Sequence, residues 1–131
     1  MLITKESDYA IRVIRVLSDY EKRNLKEICK MENIPNAYGY KIIRKLVNAQ
    51  LIECFLGASG GYQLVADLQE ITLYDIVAII EPGFAVAKCI NETCSQYEER
   101  RLCLVHQEFA AIQGQIVVML KRKSIAEVFQ L

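Results

Sequence analysis

The sequence predicts a mainly α-helical fold with one small β-hairpin: a winged helix-turn-helix head over residues 1–68, then a linker helix, a cysteine-bearing loop and a long C-terminal helix over residues 69–131. Three observations carry that prediction. Apolar residues recur at spacings of three and four through the first fifty positions, a glycine-rich turn separates two short apolar runs around Ser59, and a heptad pattern runs from Leu102 to Met119. With 131 residues, just over half of them apolar, the chain can bury a core without covalent staples.

Tyr9, Ala10, Val13, Ile14, Leu17 and Tyr20 mark one face of a first helix. Asn24, with Glu27 three residues on, is a capping-box start for a short second helix through Leu25, Ile28 and Met31, which must stop before Pro35. Asn36 is expected to cap a third helix that buries Tyr38, Ile42, Ile43, Leu46 and Val47 and turns Ala37, Tyr40, Lys41, Arg44, Lys45 and Asn48 outward. The runs Leu51–Leu56 and Tyr62–Val65, with Gly57, Gly60 and Gly61 between them, read as a β-hairpin. Thr72 and Asp75 form a second capping box for a helix from Leu73 to Ile80, ended by Glu81, Pro82 and Gly83. Leu102, Val105, Phe109, Ile112, Ile116 and Met119 then step by three and four as an a/d seam. A long helix with such a seam calls for a partner, so the reading is a homodimer, with Gly114 allowing close approach of two helices. Lys121, Arg122 and Lys123 suit the negative end of that helix, and Ser124 can cap a short returning one.

A hairpin directly after a helix-turn-helix is a wing, and the outer face of the third helix has the chemistry of a nucleic-acid surface. Lys and Arg can neutralise phosphates, while Arg44, Asn48 and Tyr40 are long enough to reach base edges. Charge is divided accordingly: residues 1–50 carry ten Lys/Arg against six acids, and residues 51–131 carry six against ten, so a basic head stands on an acidic body. The candidate DNA-binding residues are Asn36, Ala37, Tyr40, Lys41, Arg44, Lys45, Asn48, Ser59 and Gly60. No apolar run approaches the roughly 18 residues of a membrane span, and the start of the chain lacks the layout of a secretory leader, so a cytoplasmic protein without a membrane partner is expected. One histidine and no nucleophile motif or phosphate loop argue against an enzyme.

The segment CINETCSQYEERRLCLVH gathers Cys89, Cys94, Cys103 and the single histidine, His106. Three thiols and an imidazole are a soft ligand set that suits an iron-sulfur cluster or zinc. The eight residues between Cys94 and Cys103 are wide for a zinc knuckle, and an odd count of five cysteines argues against a disulfide framework. A zinc site and a metal-free thiol/disulfide switch stay open at this point. Cys29 and Cys54 occupy apolar positions of a helix and a strand and are expected to be buried packing.

SDYAIR near the start, KIIRKLVNAQLIE, the wing GASGGYQL, ITLYDIVAIIE and the cysteine loop ahead of a long helix together resemble the Rrf2 family of winged-helix regulators over nearly the whole chain. The resemblance implies a dimeric transcription factor on a palindromic DNA operator. It implies an iron-sulfur cluster on Cys89, Cys94 and Cys103, 2Fe-2S favoured over 4Fe-4S, whose state alters DNA affinity in response to iron-sulfur supply, redox conditions or nitric oxide. His106 matches the fourth ligand of one branch, and Asp8 matches an aspartate that another branch uses from the partner subunit. Two features depart from the family pattern. The cysteines are separated by four and then eight residues rather than evenly, and Leu56 stands ahead of the wing glycines where an arginine is frequent.

Overall fold

A computed structural model of the chain describes residues 3–93 and 102–131. Thr4 opens the first helix, α1 (Lys5–Val16), by accepting the Ser7 N–H on its hydroxyl, and Ala10, Val13 and Ile14 form its buried face. At the start of α2 (Leu25–Glu32), Asn24 and Glu27 close a reciprocal capping box, and Asn33, left-handed at φ 54°, ends the helix. The third helix, α3 (Asn36–Asn48), departs from expectation at its first turn. Pro35 is the N-cap, there is no side-chain cap bond, and Asn36 is already helical. The reason is that Pro35, with φ fixed at −59°, is preset for the approach to a helix and leaves Asn36 no cap role.

Two other positions on these helices also differ from the periodic reading. Tyr38 is 40% exposed and lies edge-on to Tyr9 at 5.5 Å between ring centroids, while Gly39 takes the buried place against α2. Met31 is 58% exposed, because a helix of eight residues offers the core little beyond Ile28 and Cys29.

The hairpin consists of β1 (Ile52–Phe55) and β2 (Gly61–Leu64), antiparallel, with Ile52 opposite Leu64, Cys54 opposite Tyr62 and Phe55 opposite Gly61. Gly61 is required twice over: its φ is 151°, and an added Cβ would stand 2.7 Å from the Arg23 carbonyl oxygen. That close approach lets Arg23 and Tyr62 exchange both backbone hydrogen bonds, which fastens the wing to the start of α2. Ile52 and Leu64 at the root of the hairpin are buried in the core, and Tyr62 packs partly against it. Cys54 lies two pairs further out, beyond the buried root, and is exposed, so the expectation that it is buried fails.

The fourth helix, α4 (Leu73–Ile80), has the Thr72–Asp75 capping box the sequence announces. One turn of 3-10 helix follows at Lys88–Ile90, then α5 (Leu104–Leu120) and α6 (Ile125–Phe129), the last capped by Ser124 and Glu127. Ile76 and Ile80 of α4 and Ile125 and Ala126 of α6 join Val13, Ile14, Leu17, Ile42 and Leu46 in one core. The backbone of α6 is tied down as well, since Ile125 and Ala126 donate to the carbonyls of Ile71 and Leu68. The chain thus leaves this core after α4 and returns to it at α6, and α5 spans the interval with none of its residues buried. No described helix is long and apolar enough to cross a membrane.

Candidate functional site

On α3 the positions Asn36, Ala37, Tyr40, Lys41, Arg44 and Asn48 are all exposed, and Lys45 is half-buried. They form a stripe opposite Ile42, Ile43 and Leu46, which anchor the helix in the core. The cations differ in what holds them. Lys41 Nζ is 2.7 Å and Lys45 Nζ 3.2 Å from the two oxygens of Glu6, and Lys45 also donates to the Ile80 carbonyl at 3.0 Å. Arg44 has no partner among the described residues. The Lys41 hydrogen bond holds the Glu6 carboxyl below its ordinary value against the opposing effect of burial.

Ser59 and Gly60 lie at the wing tip, exposed and half-buried respectively. The tip receives a cation the sequence reading did not assign: Lys22 Nζ stands 4.4 Å above the Phe55 ring and donates to the Ser59 carbonyl at 3.4 Å. Nothing local signals this, because Lys22 lies 37 positions from Ser59. Leu56 is 91% exposed beside it. Exposed apolar side chains next to a glycine loop can lie against the sugar edge of a groove.

The cysteine segment is partly described. Cys94 lies outside the described residues, together with the rest of 95–101. Cys89 sits in the 3-10 turn, which contacts α5, and Cys103 is the N-cap of α5, its Sγ accepting the His106 N–H at 3.4 Å. The same helix turn therefore carries a sulfur and the imidazole. His106 Nδ1 is buried and has no hydrogen-bond partner among the described residues. A buried polar nitrogen without a partner is costly unless something else binds it. Among the described residues no group of three His, Cys, Asp and Glu side chains is gathered closely enough to hold a metal ion. Cys89 and Cys103 are both free thiols. Asp8, on the outer side of α1, pairs with Arg12 at 2.8 Å and is half-exposed.

The long helix turns His106, Phe109, Gln113, Ile116, Val117 and Leu120 partly toward its own chain. Gln113 fixes that side by donating to the Phe84 carbonyl at 3.1 Å and accepting the Val86 N–H at 2.9 Å. Leu104, Val105, Ile112, Val118 and Met119 remain 45% exposed or more, and Leu102 ahead of the helix is 65% exposed. Of the six seam residues, Phe109 and Ile116 therefore lean on the chain itself, and the other four are open. Gly114 also faces open space, with nothing within 4 Å of an added Cβ.

A helix pair, a recognition stripe and a tethered hairpin define the winged helix-turn-helix class of transcriptional regulators. Comparison with known proteins carries this to the family: the one described as Rrf2, iron-dependent transcriptional regulator, matches residues 3–130, and the chain belongs to it. These proteins are regulators, not enzymes. Protein aau3 of Rhizobium meliloti is 35% identical over 97 residues, which cover 70% of this chain but 60% of that protein. The fold is shared with solved structures, among them these two. The oxidised form of Staphylococcus aureus CymR superposes with TM-score 0.75 at 22% identity over 100% of this chain and 98% of that one. IscR of T. potens superposes with TM-score 0.76 at 18% identity over 98% and 85%.

Proposed function

We propose that this chain is a homodimeric, cytoplasmic regulator whose affinity for a palindromic DNA operator is set by an iron-sulfur cluster on Cys89, Cys94, Cys103 and His106. The observation that carries the cluster is the orphaned Nδ1 of His106, buried one helix turn from the Cys103 sulfur. Sulfur and imidazole donors are the set that such a group takes, and an imidazole among them favours 2Fe-2S over 4Fe-4S. Bound there, the cluster supplies a charge and a set of bonds that change with oxidation or iron loss. The chain's own residues do the rest. The His106 N–H steadies the Cys103 sulfur, Gln113 holds α5 against residues 84–86, and the 3-10 turn keeps Cys89 beside that helix. Asp8 is the alternative fourth ligand, and it would have to leave Arg12 to serve.

On the DNA side, Arg44, Asn48, Tyr40, Ala37 and Asn36 face the major groove, Lys41 and Lys45 face phosphates, and Ser59 and Gly60 of the wing follow the backbone. Leu102, Val105, Ile112 and Met119 meet a second copy, with Phe109 and Ile116 beneath them. Iron and sulfide quantitation with an absorption spectrum on anaerobically prepared protein tests the cluster. Brown protein whose visible absorption disappears in Cys89→Ala, Cys94→Ala and Cys103→Ala is expected; colourless protein with stoichiometric zinc sinks it.

One observation favours a second reading. Cys89 and Cys103 are free thiols on adjoining elements, the 3-10 turn and the start of α5. A reversible disulfide among Cys89, Cys94 and Cys103 with no bound metal would identify a thiol switch instead.

A further inference from the structure

Two of the three cations on the α3 stripe are already engaged. One carboxylate, Glu6, spans Lys41 at 2.7 Å and Lys45 at 3.2 Å, one oxygen to each ammonium group. Lys45 is held from behind by the Ile80 carbonyl at 3.0 Å. Glu6 is held too: it lies in the first turn of α1, where the N-cap hydroxyl of Thr4 and the hydroxyl of the fully buried Ser7 both donate to the Glu81 carboxylate. Two oxygens of one anion bridging two ammonium groups on a recognition helix have the charge and spacing of the non-bridging oxygens of a phosphodiester. Lys41 is 56% exposed, and an ion pair open to water on one side adds little to folding.

We propose that Glu6 is a built-in phosphate mimic: in the DNA-free protein it fills the site that Lys41 and Lys45 offer to a DNA backbone phosphate, and DNA must displace it. The proposal rests on the DNA-binding reading. Lysines that exchange a carboxylate for a phosphate release fewer counterions than free ones, so Glu6 lowers affinity and flattens its dependence on salt. The mimic is also placed to be regulated. Ile80 and Glu81 are the last residues before the stretch leading to the cysteines, so a shift of this end of α4 loosens Lys45 and the turn carrying Glu6 together.

The test measures binding of a mixed-sequence DNA duplex by the full chain across a salt series, since phosphate contacts need no particular sequence. Glu6→Gln should bind about three- to tenfold more tightly at low salt, with the slope of log K against log salt steeper by about one. Glu70→Gln, which removes one exposed acid remote from the stripe, controls for net charge and should change neither. Lys41→Ala should cost more affinity in the Glu6→Gln background than in the wild type, because only there is Lys41 unoccupied. Wild-type binding with unchanged or weaker binding by Glu6→Gln overturns the proposal alone. Absence of binding by wild type and variant alike overturns the DNA-binding reading and the proposal with it.

Discussion

A methyl group on Gly39 would stand 2.4 Å from Cys29 Sγ and 3.3 Å from Leu25 Cδ1, so α2 and α3 pack this closely only because position 39 has no side chain. Alanine is the better helix former by about 1 kcal/mol, but the overlap with a buried sulfur costs about 1–3 kcal/mol. Gly39→Ala should therefore lower stability in denaturant unfolding, and Cys29→Ala in the same chain should recover part of the loss. Periodicity could not show this, because it assigns the buried place to Tyr38 and treats Gly39 as a gap. Charged residues make a second prediction at this scale. The Arg23 hydrogen bond holds the Asp19 carboxyl at about 2, and Arg15 and Lys41 hold Glu32 and Glu6 below the usual carboxylate range. A carboxylate with a lower pKa in the folded than in the unfolded chain stabilises the fold above its unfolded value, and that contribution is lost as pH falls through the folded value. The melting temperature should thus be level above about pH 5 and fall between about pH 4 and pH 2. Asp19→Asn should flatten the lowest part of that fall. The effect is modest, since Asp19 is 47% exposed and screened by water.

Helix starts were the most readable elements, because the capping boxes at Asn24, Thr72 and Ser124 each lie within four residues of sequence. Asn36 misled for a local reason, the fixed φ of Pro35. Thr72→Ala should cost about 1 kcal/mol in thermal or denaturant unfolding, since it removes the hydroxyl that accepts the Asp75 N–H. The wing could be read from its glycines, but its fastening to Arg23 and the arrival of Lys22 at its tip could not, because both join residues nearly forty positions apart. The same is true of α5. Its apolar seam was evident, whereas the side that leans on its own chain depends on Gln113, a polar residue whose partners Phe84 and Val86 lie 29 and 27 positions away. Gln113→Ala should free the Val86 amide, measured as faster hydrogen exchange at Val86 with little change at the core residues of α1 and α3.

For the whole molecule, the open apolar side of α5 is the strongest sign of a second copy, since Val105 and Met119 are more than 60% exposed near opposite ends of the helix. Ile112→Glu and Met119→Glu should convert a dimer to a monomer in light scattering, leaving the head folded and its DNA binding weaker. The core that joins α1, α3, α4 and α6 places both ends of the α4–α6 connection against α1 and α3, and Lys45 of α3 reaches the end of α4 at the Ile80 carbonyl. A cluster in the cysteine segment is proposed to set DNA affinity. The most direct measurement is fluorescence anisotropy of a duplex selected from a random pool by the anaerobic protein, titrated with cluster-loaded protein and with the same protein after oxidative cluster loss. Dissociation constants that differ by about tenfold or more, a coupling of about 1.4 kcal/mol, are expected. Equal constants for the two forms, or protein that never holds iron and sulfide, would contradict it.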